Sequence, residues 1–154
     1  SIGYQIIHER VRSLTGWLLD NLSEMKHSTG VPLVRIYGPL NTVKRGGAVT
    51  ANFYNQEGKP VDHRFIEQEA NKHNISLRTG CFCNPGAGEI ALGISKPELA
   101  ACFTQPGHDQ RLSLDDFRLC IDGKASGAVR ISVGLVSNFE DVQAFLKFAE
   151  ELLK

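Results

Sequence analysis

The chain has 154 residues, enough for one domain with a hydrophobic core, and 42% of them are apolar against 22% charged. The 17 basic and 17 acidic side chains cancel, so there is no electrostatic case for binding nucleic acid or an anionic membrane. No apolar run reaches membrane-spanning length, and no signal peptide is visible, although Ser1 need not be the natural start. The four cysteines are too few and too unevenly spaced for a disulfide scaffold, which indicates a reducing, cytoplasmic compartment.

The first half of the chain alternates between helices and short strands. A long helix, two strands and a shorter helix are predicted over residues 3–28, 33–37, 48–54 and 62–73. The long helix follows from apolar residues in steps of three and four, and Gly30 and Pro32 end it. Asp62 is the predicted N-cap of the shorter helix.

The second half contains two more strands and further short helices. The strands are predicted over residues 75–78 and 129–133, and the helices over 85–92, 96–103, from 113, and from 137 to the end. Ser95 with Glu98 and Ser137 with Glu140 have the spacing of capping boxes. Few strands separated by helices predict an α+β domain with a small, mainly antiparallel sheet covered on one face by helices.

The most informative segment runs from Arg78 to Gly86 and places thiols between a strand and a helix. Asn84 is a good N-cap and Pro85 suits the first helical position, so Cys83 would face the positive end of a helix dipole. That field, with Arg78 nearby in sequence, favours the thiolate, which is the reactive form of cysteine.

Six motifs follow one another along nearly the whole chain. They are VRIY at 34–37, RTGCFCNPGA at 78–87, LGIS at 92–95, GH at 107–108, GAVRIS at 127–132 and EDVQAFL at 140–146. In this order they resemble the C-terminal small domain of class V aminotransferase-like enzymes, the fold-type I transferases that depend on pyridoxal phosphate. Within that group the chain looks most like the desulfurase part of molybdenum cofactor sulfurases.

The resemblance implies a mechanism and assigns residues to it. In cysteine desulfurases of this kind, a protein cysteine attacks the sulfur of the cofactor-bound L-cysteine and becomes a persulfide, and alanine is released. That cysteine ends an Arg-x-Gly-x-x-Cys motif, which here selects Cys83 rather than Cys81. The family arginine that binds the substrate carboxylate matches Arg130, a fork-to-fork contact. Alternation along the strand independently turns Arg130 away from the apolar face of Val129 and Ile131.

The resemblance also implies that much of the enzyme lies outside this sequence. The Schiff-base lysine and the cofactor-binding motifs of the family belong to a large N-terminal domain, and no lysine here matches that position. We therefore expect residues 1–154 to be a single small domain, with residues 1–30 as a connecting helix, that holds no pyridoxal phosphate and is inactive alone. The implied partners are the large domain, a second copy of the intact enzyme, L-cysteine and a sulfur acceptor. Gly88 stands where eukaryotic sulfurases usually have a third cysteine, which leaves the acceptor open.

Several residues keep alternative interpretations. Cys81 is either a packing residue or an accessory thiol, and Arg78 either binds substrate or fixes the loop. His108 is either a solvated loop residue or an accessory group near the cleft. No second Cys/His pair at zinc-like spacing accompanies the Cys-x-Cys, so no metal site is predicted. Cys102 and Cys120 are expected in the core.

Two other functions remain open. The domain could be a thiol-relay or binding module without cofactor chemistry. It could also belong to a class V relative that catalyses transamination, lyase or epimerase reactions.

Overall fold

The computed structural model describes residues 3–80, 85–104, 113, 116–117, 120–121 and 124–154. The helices in this part are α1 (Tyr4–Glu24), α2 (His63–Lys72), α3 (Pro85–Leu92), α4 (Lys96–Phe103) and α5 (Phe139–Glu151). The strands are β1 (Val34–Tyr37), β2 (Ala48–Phe53), β3 (Arg78–Gly80) and β4 (Ala128–Ser132). All neighbouring strands pair antiparallel in the order β1-β2-β4-β3. The predicted α+β class with a small antiparallel sheet is confirmed.

One face of the sheet carries the hydrophobic core. Alternate residues of the two central strands are buried there, as the period of a half-buried strand requires: Val49, Ala51, Phe53, Val129 and Ile131. α1, α2 and α5 supply the opposing side chains, among them Leu18, Leu22, Ile66, Phe145 and Phe148. Removing this apolar area from water is the main source of stability of the fold.

Hydrogen-bonding side chains begin three of the helices. The Asp62 carboxylate accepts the Arg64 N–H, and Ser95 forms a complete capping box with Glu98, as predicted. The second predicted box, Ser137 with Glu140, is wrong by one residue, because Asn138 caps α5 and pairs with Asp141. Asn is as good an N-cap as Ser. The Ser137 hydroxyl instead accepts the Gly134 N–H in the preceding turn.

Two predicted boundaries shift because backbone groups find other partners. α1 ends at Glu24 because the following residues pair with the chain after the turn: the N–H of His27 donates to the carbonyl of Val31 at 2.9 Å. The strand predicted at 75–78 forms ladder bonds only at 78–80, since the Ile75 N–H closes the end of α2 on the Ala70 carbonyl. In the described part of the chain, no helix is both long and apolar enough to cross a membrane.

Candidate functional site

A row of polar side chains crosses the sheet on the face opposite the core. We call this side of the sheet the open face. β3 pairs with β4 so that Arg78 lies directly opposite Arg130, and β4 pairs with β2 so that Arg130 lies opposite Thr50. Thr50 in turn lies opposite Tyr37 of β1. The structure thus brings together the two arginines that the sequence analysis had selected separately.

The two arginines form an uncommon cross-strand pair. Both residues are exposed, whereas their strand neighbour Val129 is 1% exposed. Side chains directly opposite each other on one face lie about 5 Å apart at Cβ, and like charges in that position repel. A carboxylate can bind to such an arrangement, because each guanidinium presents parallel N–H donors to its oxygens.

The row lies beside the start of the cysteine segment. Arg78 is two residues from Gly80, where β3 ends with φ +112°, a left-handed value that favours glycine. Residues 81–84 lie outside the described residues, so the structure does not test the predicted roles of Cys81 and Cys83. His108 also lies outside them.

A close backbone contact fixes the end of β3. A Cβ atom on Gly127 would be 2.9 Å from Cε1 of His63 and 3.0 Å from the backbone of Gly80. His63, at the first turn of α2, is 9% exposed. Glycine at position 127 therefore lets α2, β3 and β4 meet where the cysteine segment begins. No sequence signal points to His63, because a lone histidine at a helix start has many ordinary roles.

A cavity of about 510 Å³ separates the open face from α3 and α4. The sheet contributes one wall: Tyr37, Thr50, Gly80, Gly127 and Ala128. The helices contribute a mainly apolar wall: Ala87, Gly88, Ala91, Leu92 and Leu99. None of the eight lysines of the chain lines this cavity. Since pyridoxal phosphate attaches to its enzymes through a lysine Schiff base, these residues do not fit a cofactor site.

Tyr37 stays neutral at the edge of this cavity. Burial raises the pKa of its phenol to about 12, and the neighbouring Tyr54 adds to the increase. The guanidinium of Arg35 lies 5.6 Å from the centre of the Tyr37 ring and acts in the opposite direction. At neutral pH the phenol is therefore a hydrogen-bond donor rather than an anion.

A disulfide and an ion pair join α4, which forms part of the cavity wall, to the chain that follows it. Cys102 of α4 is fully buried, as expected, and forms a disulfide with the half-buried Cys120, with Cα atoms 5.5 Å apart. The sequence predicts that both cysteines lie in the core, but it does not predict the bond between them. Lys124 contacts Glu98 at 2.5 Å and donates to the Gly93 carbonyl at 2.8 Å. The Lys124 hydrogen bond is the main reason that the pKa of Glu98 falls to about 2.

Comparison with known proteins gives a consistent assignment. The chain is 38% identical to a molybdenum cofactor sulfurase of Oryza sativa subsp. japonica and 36% identical to that of Homo sapiens. These matches cover 94% and 95% of the chain but only 17% and 16% of the relatives, so the chain spans about a sixth of their length. No protein-family model matches the chain.

Solved structures support the same fold. The apo cysteine desulfurase from Thermococcus onnurineus NA1 superposes with a TM-score of 0.60 at 19% identity, covering 97% of this chain and 26% of that one. A NifS-like protein from Rickettsia africae ESF-5 gives a TM-score of 0.55 at 16% identity, covering 96% and 29%. The chain is therefore a domain of the cysteine desulfurase-like fold, homologous over nearly its whole length to a segment of molybdenum cofactor sulfurases.

Proposed function

We propose that this chain is the small domain of a pyridoxal-phosphate-dependent, cysteine desulfurase-like enzyme and that it transfers sulfur through a persulfide on Cys83. The observation that carries the proposal is the cross-strand pair of Arg78 and Arg130, because Arg78 lies only five residues before Cys83 in the chain. L-Cysteine bound there through its carboxylate would have its sulfur available for attack by the thiol of Cys83, which follows Arg78 closely in the chain. Homology to molybdenum cofactor sulfurases supports the same chemistry.

Each residue has a separate task in this proposal. Arg130 binds the α-carboxylate of L-cysteine through two parallel hydrogen bonds, and Arg78 adds a second positive charge from the neighbouring strand. Cys83 attacks the substrate sulfur as a thiolate, and the carbon–sulfur bond of the substrate breaks as the persulfide forms. The electron pair of the broken bond stays with the carbon skeleton, which takes up a proton and leaves as alanine. Cys81 and His108 are accessory candidates only.

The cofactor belongs to another part of the enzyme in this proposal. The cavity offers no lysine for a Schiff base, so a large N-terminal domain would hold pyridoxal phosphate, which would supply an electron sink for breaking the carbon–sulfur bond. The intact enzyme is proposed to be a homodimer that passes sulfur to an acceptor. Residues 1–30 connect the two domains and also supply α1 to the core described above.

The decisive test is Cys83→Ser in the full-length enzyme supplied with pyridoxal phosphate and L-cysteine. We expect loss of both alanine and sulfide formation, with the persulfide absent from peptide mass spectra. Cys81→Ser is the matched control, two residues away, and should keep at least half of the activity. Unchanged desulfuration by Cys83→Ser would refute the assignment.

A thiol relay is the second candidate, because a cavity without a lysine is equally compatible with a domain that uses no pyridoxal phosphate. A relay would accept sulfur from a separate donor without pyridoxal phosphate. Sulfur transfer that persists after the cofactor has been removed by dialysis would favour the relay. A class V relative with other chemistry would instead release pyruvate or another keto acid.

A further inference from the structure

The cavity is larger than the proposed amino-acid substrate requires. Its volume of about 510 Å³ lies within the range of small-molecule sites. L-Cysteine carries a single methylene and a thiol beyond its polar groups, and these would leave most of the apolar wall uncovered. The space beside the arginine pair can therefore accommodate a much larger apolar group.

The arginines and the cavity are continuous on the open face. Gly80, Ala128 and Thr50 line the cavity. Arg78 lies two residues before Gly80, and Arg130 lies two residues after Ala128, so each pair shares a face of its strand about 7 Å apart. Thr50 lies directly opposite Arg130. The two arginines thus lie at the rim of the cavity. The cavity begins two residues away along each strand, at Gly80 and Ala128.

Hydrogen-bonding atoms on this side of the sheet lack partners. The Ser126 hydroxyl lines the cavity, and its oxygen is buried without a hydrogen bond. Asn52, which shares the open face with Thr50, is 3% exposed, and its Oδ1 likewise has no partner. Buried polar atoms are nearly always satisfied. These two atoms leave hydrogen-bonding capacity on the side of the sheet that faces the cavity.

We propose that the arginine pair and the cavity together form one binding site for amphipathic monocarboxylates, with the carboxylate at Arg78 and Arg130 and the apolar body against α3 and α4. The inference relies on the proposed function only for the arginines as carboxylate anchors. A guanidinium has five N–H donors, so Arg130 can hold a carboxylate beside other partners. Aliphatic side chains from Leu92, Ile94 and Leu99 suit an alkyl or aryl body.

Isothermal titration of the full chain with octanoate, octanol and acetate tests the site. Octanoate should bind at least tenfold more tightly than either acetate, which lacks the apolar body, or octanol, which lacks the charge. Octanol binding as tightly as octanoate would overturn the role of the arginines, and acetate binding as tightly would overturn that of the cavity. No octanoate binding at millimolar concentration would overturn the whole inference.

Two variants locate the ligand. Ala91→Phe fills the cavity and should weaken octanoate binding at least tenfold while leaving acetate binding unchanged. Ile90→Phe, at a neighbouring position of α3 that is 85% exposed, is the matched control and should bind octanoate normally. Equal affinities in these two variants would contradict the inference.

The double variant Arg78→Gln, Arg130→Gln should bind octanoate only as tightly as the wild type binds octanol. Circular dichroism establishes that each variant is folded, and Ala87→Leu replaces Ala91→Phe if the latter unfolds. Desulfuration is measured separately in the full-length enzyme. A lack of desulfuration would count against the proposed function, but it would not change the result for octanoate binding.

Discussion

At the scale of single residues, the register of the sheet brings Arg78 and Arg130 together. The two exposed residues lie directly opposite each other on β3 and β4. Side chains in such positions are cross-strand neighbours, and a carboxylate can accept parallel hydrogen bonds from a guanidinium. The proposed role of this pair, which lies on the open face away from the core, is accordingly to bind a carboxylate.

Replacing Arg130 with Lys in the full-length enzyme should raise KM for L-cysteine about tenfold, a loss of about 1.4 kcal/mol in binding. Lysine keeps the charge but cannot donate two parallel hydrogen bonds. Steady-state kinetics with alanine as the measured product provide the test. Arg35→Lys, on the same face but on the edge strand β1, is the control and should change KM less than twofold. An equal effect of both changes would argue against a specific role of Arg130.

At the scale of elements, an ion pair that depends on pH, Glu98 with Lys124, stabilises α4. The pKa of Glu98 is lowered from 4.5 to about 2, first by its hydrogen bond with Lys124 and then by those with Ser95. A carboxyl with a lowered pKa stabilises the folded state above its unfolded pKa. That contribution is lost as the pH falls from about 4.5 towards 2.

We therefore expect the melting temperature of the wild type to exceed that of Glu98→Gln at pH 6, with the difference disappearing as the pH approaches 2. Circular dichroism across this range measures it. Glu150→Gln changes an exposed glutamate of α5 and should follow the wild type. A difference between wild type and Glu98→Gln that is independent of pH would show that the carboxylate is not the cause.

The same region is expected to depend on the disulfide. Cys102 and Cys120 are 18 residues apart, and closing a loop of this size stabilises by about 3 kcal/mol in the chain-entropy model. Cys102→Ser should reduce hydrogen-exchange protection of α4 by a corresponding amount. Dithiothreitol should reproduce this loss in the wild type and add nothing in Cys102→Ser. Identical protection of α4 in all of these samples would contradict a structural role for the bond.

At the scale of the whole molecule, α1 is an integral part of the core. Leu18, Leu19 and Leu22 are at most 1% exposed and pack in the same cluster as the sheet and α5. α1 therefore completes this core, because removing it would expose the apolar face of the sheet to water.

Leu22→Ala should lower the free energy of unfolding by 2 to 5 kcal/mol, about the range for a large-to-small change in a packed core. Leu40→Ala is the matched control, since Leu40 is 59% exposed and its truncation should cost less than about 0.5 kcal/mol. Urea unfolding followed by circular dichroism measures both. Similar losses in the two variants would mean that α1 does not stabilise the core.

The sequence by itself determined the class of fold and most helix and strand positions, and the resemblance of its motifs to a known family selected Arg130 and Arg78 as site candidates. These depend on periodicity, on local capping and on motifs, all of which are encoded within a few neighbouring residues. Two elements show the limit of these local rules. Ser137 and Asn138 are equally good N-caps, so the sequence does not decide between them. The Ile75 N–H bonds to the end of α2 instead of a neighbouring strand, so β3 begins later than predicted.

Only the tertiary structure decided which residues meet. The register that places Arg78 opposite Arg130, the disulfide of Cys102 with Cys120 and the cavity beside the open face all join segments far apart in sequence. No local pattern specifies such contacts, because strand register and helix packing follow from burying one common core. The arginine pair is therefore a property of the folded sheet, although each arginine was visible in the sequence.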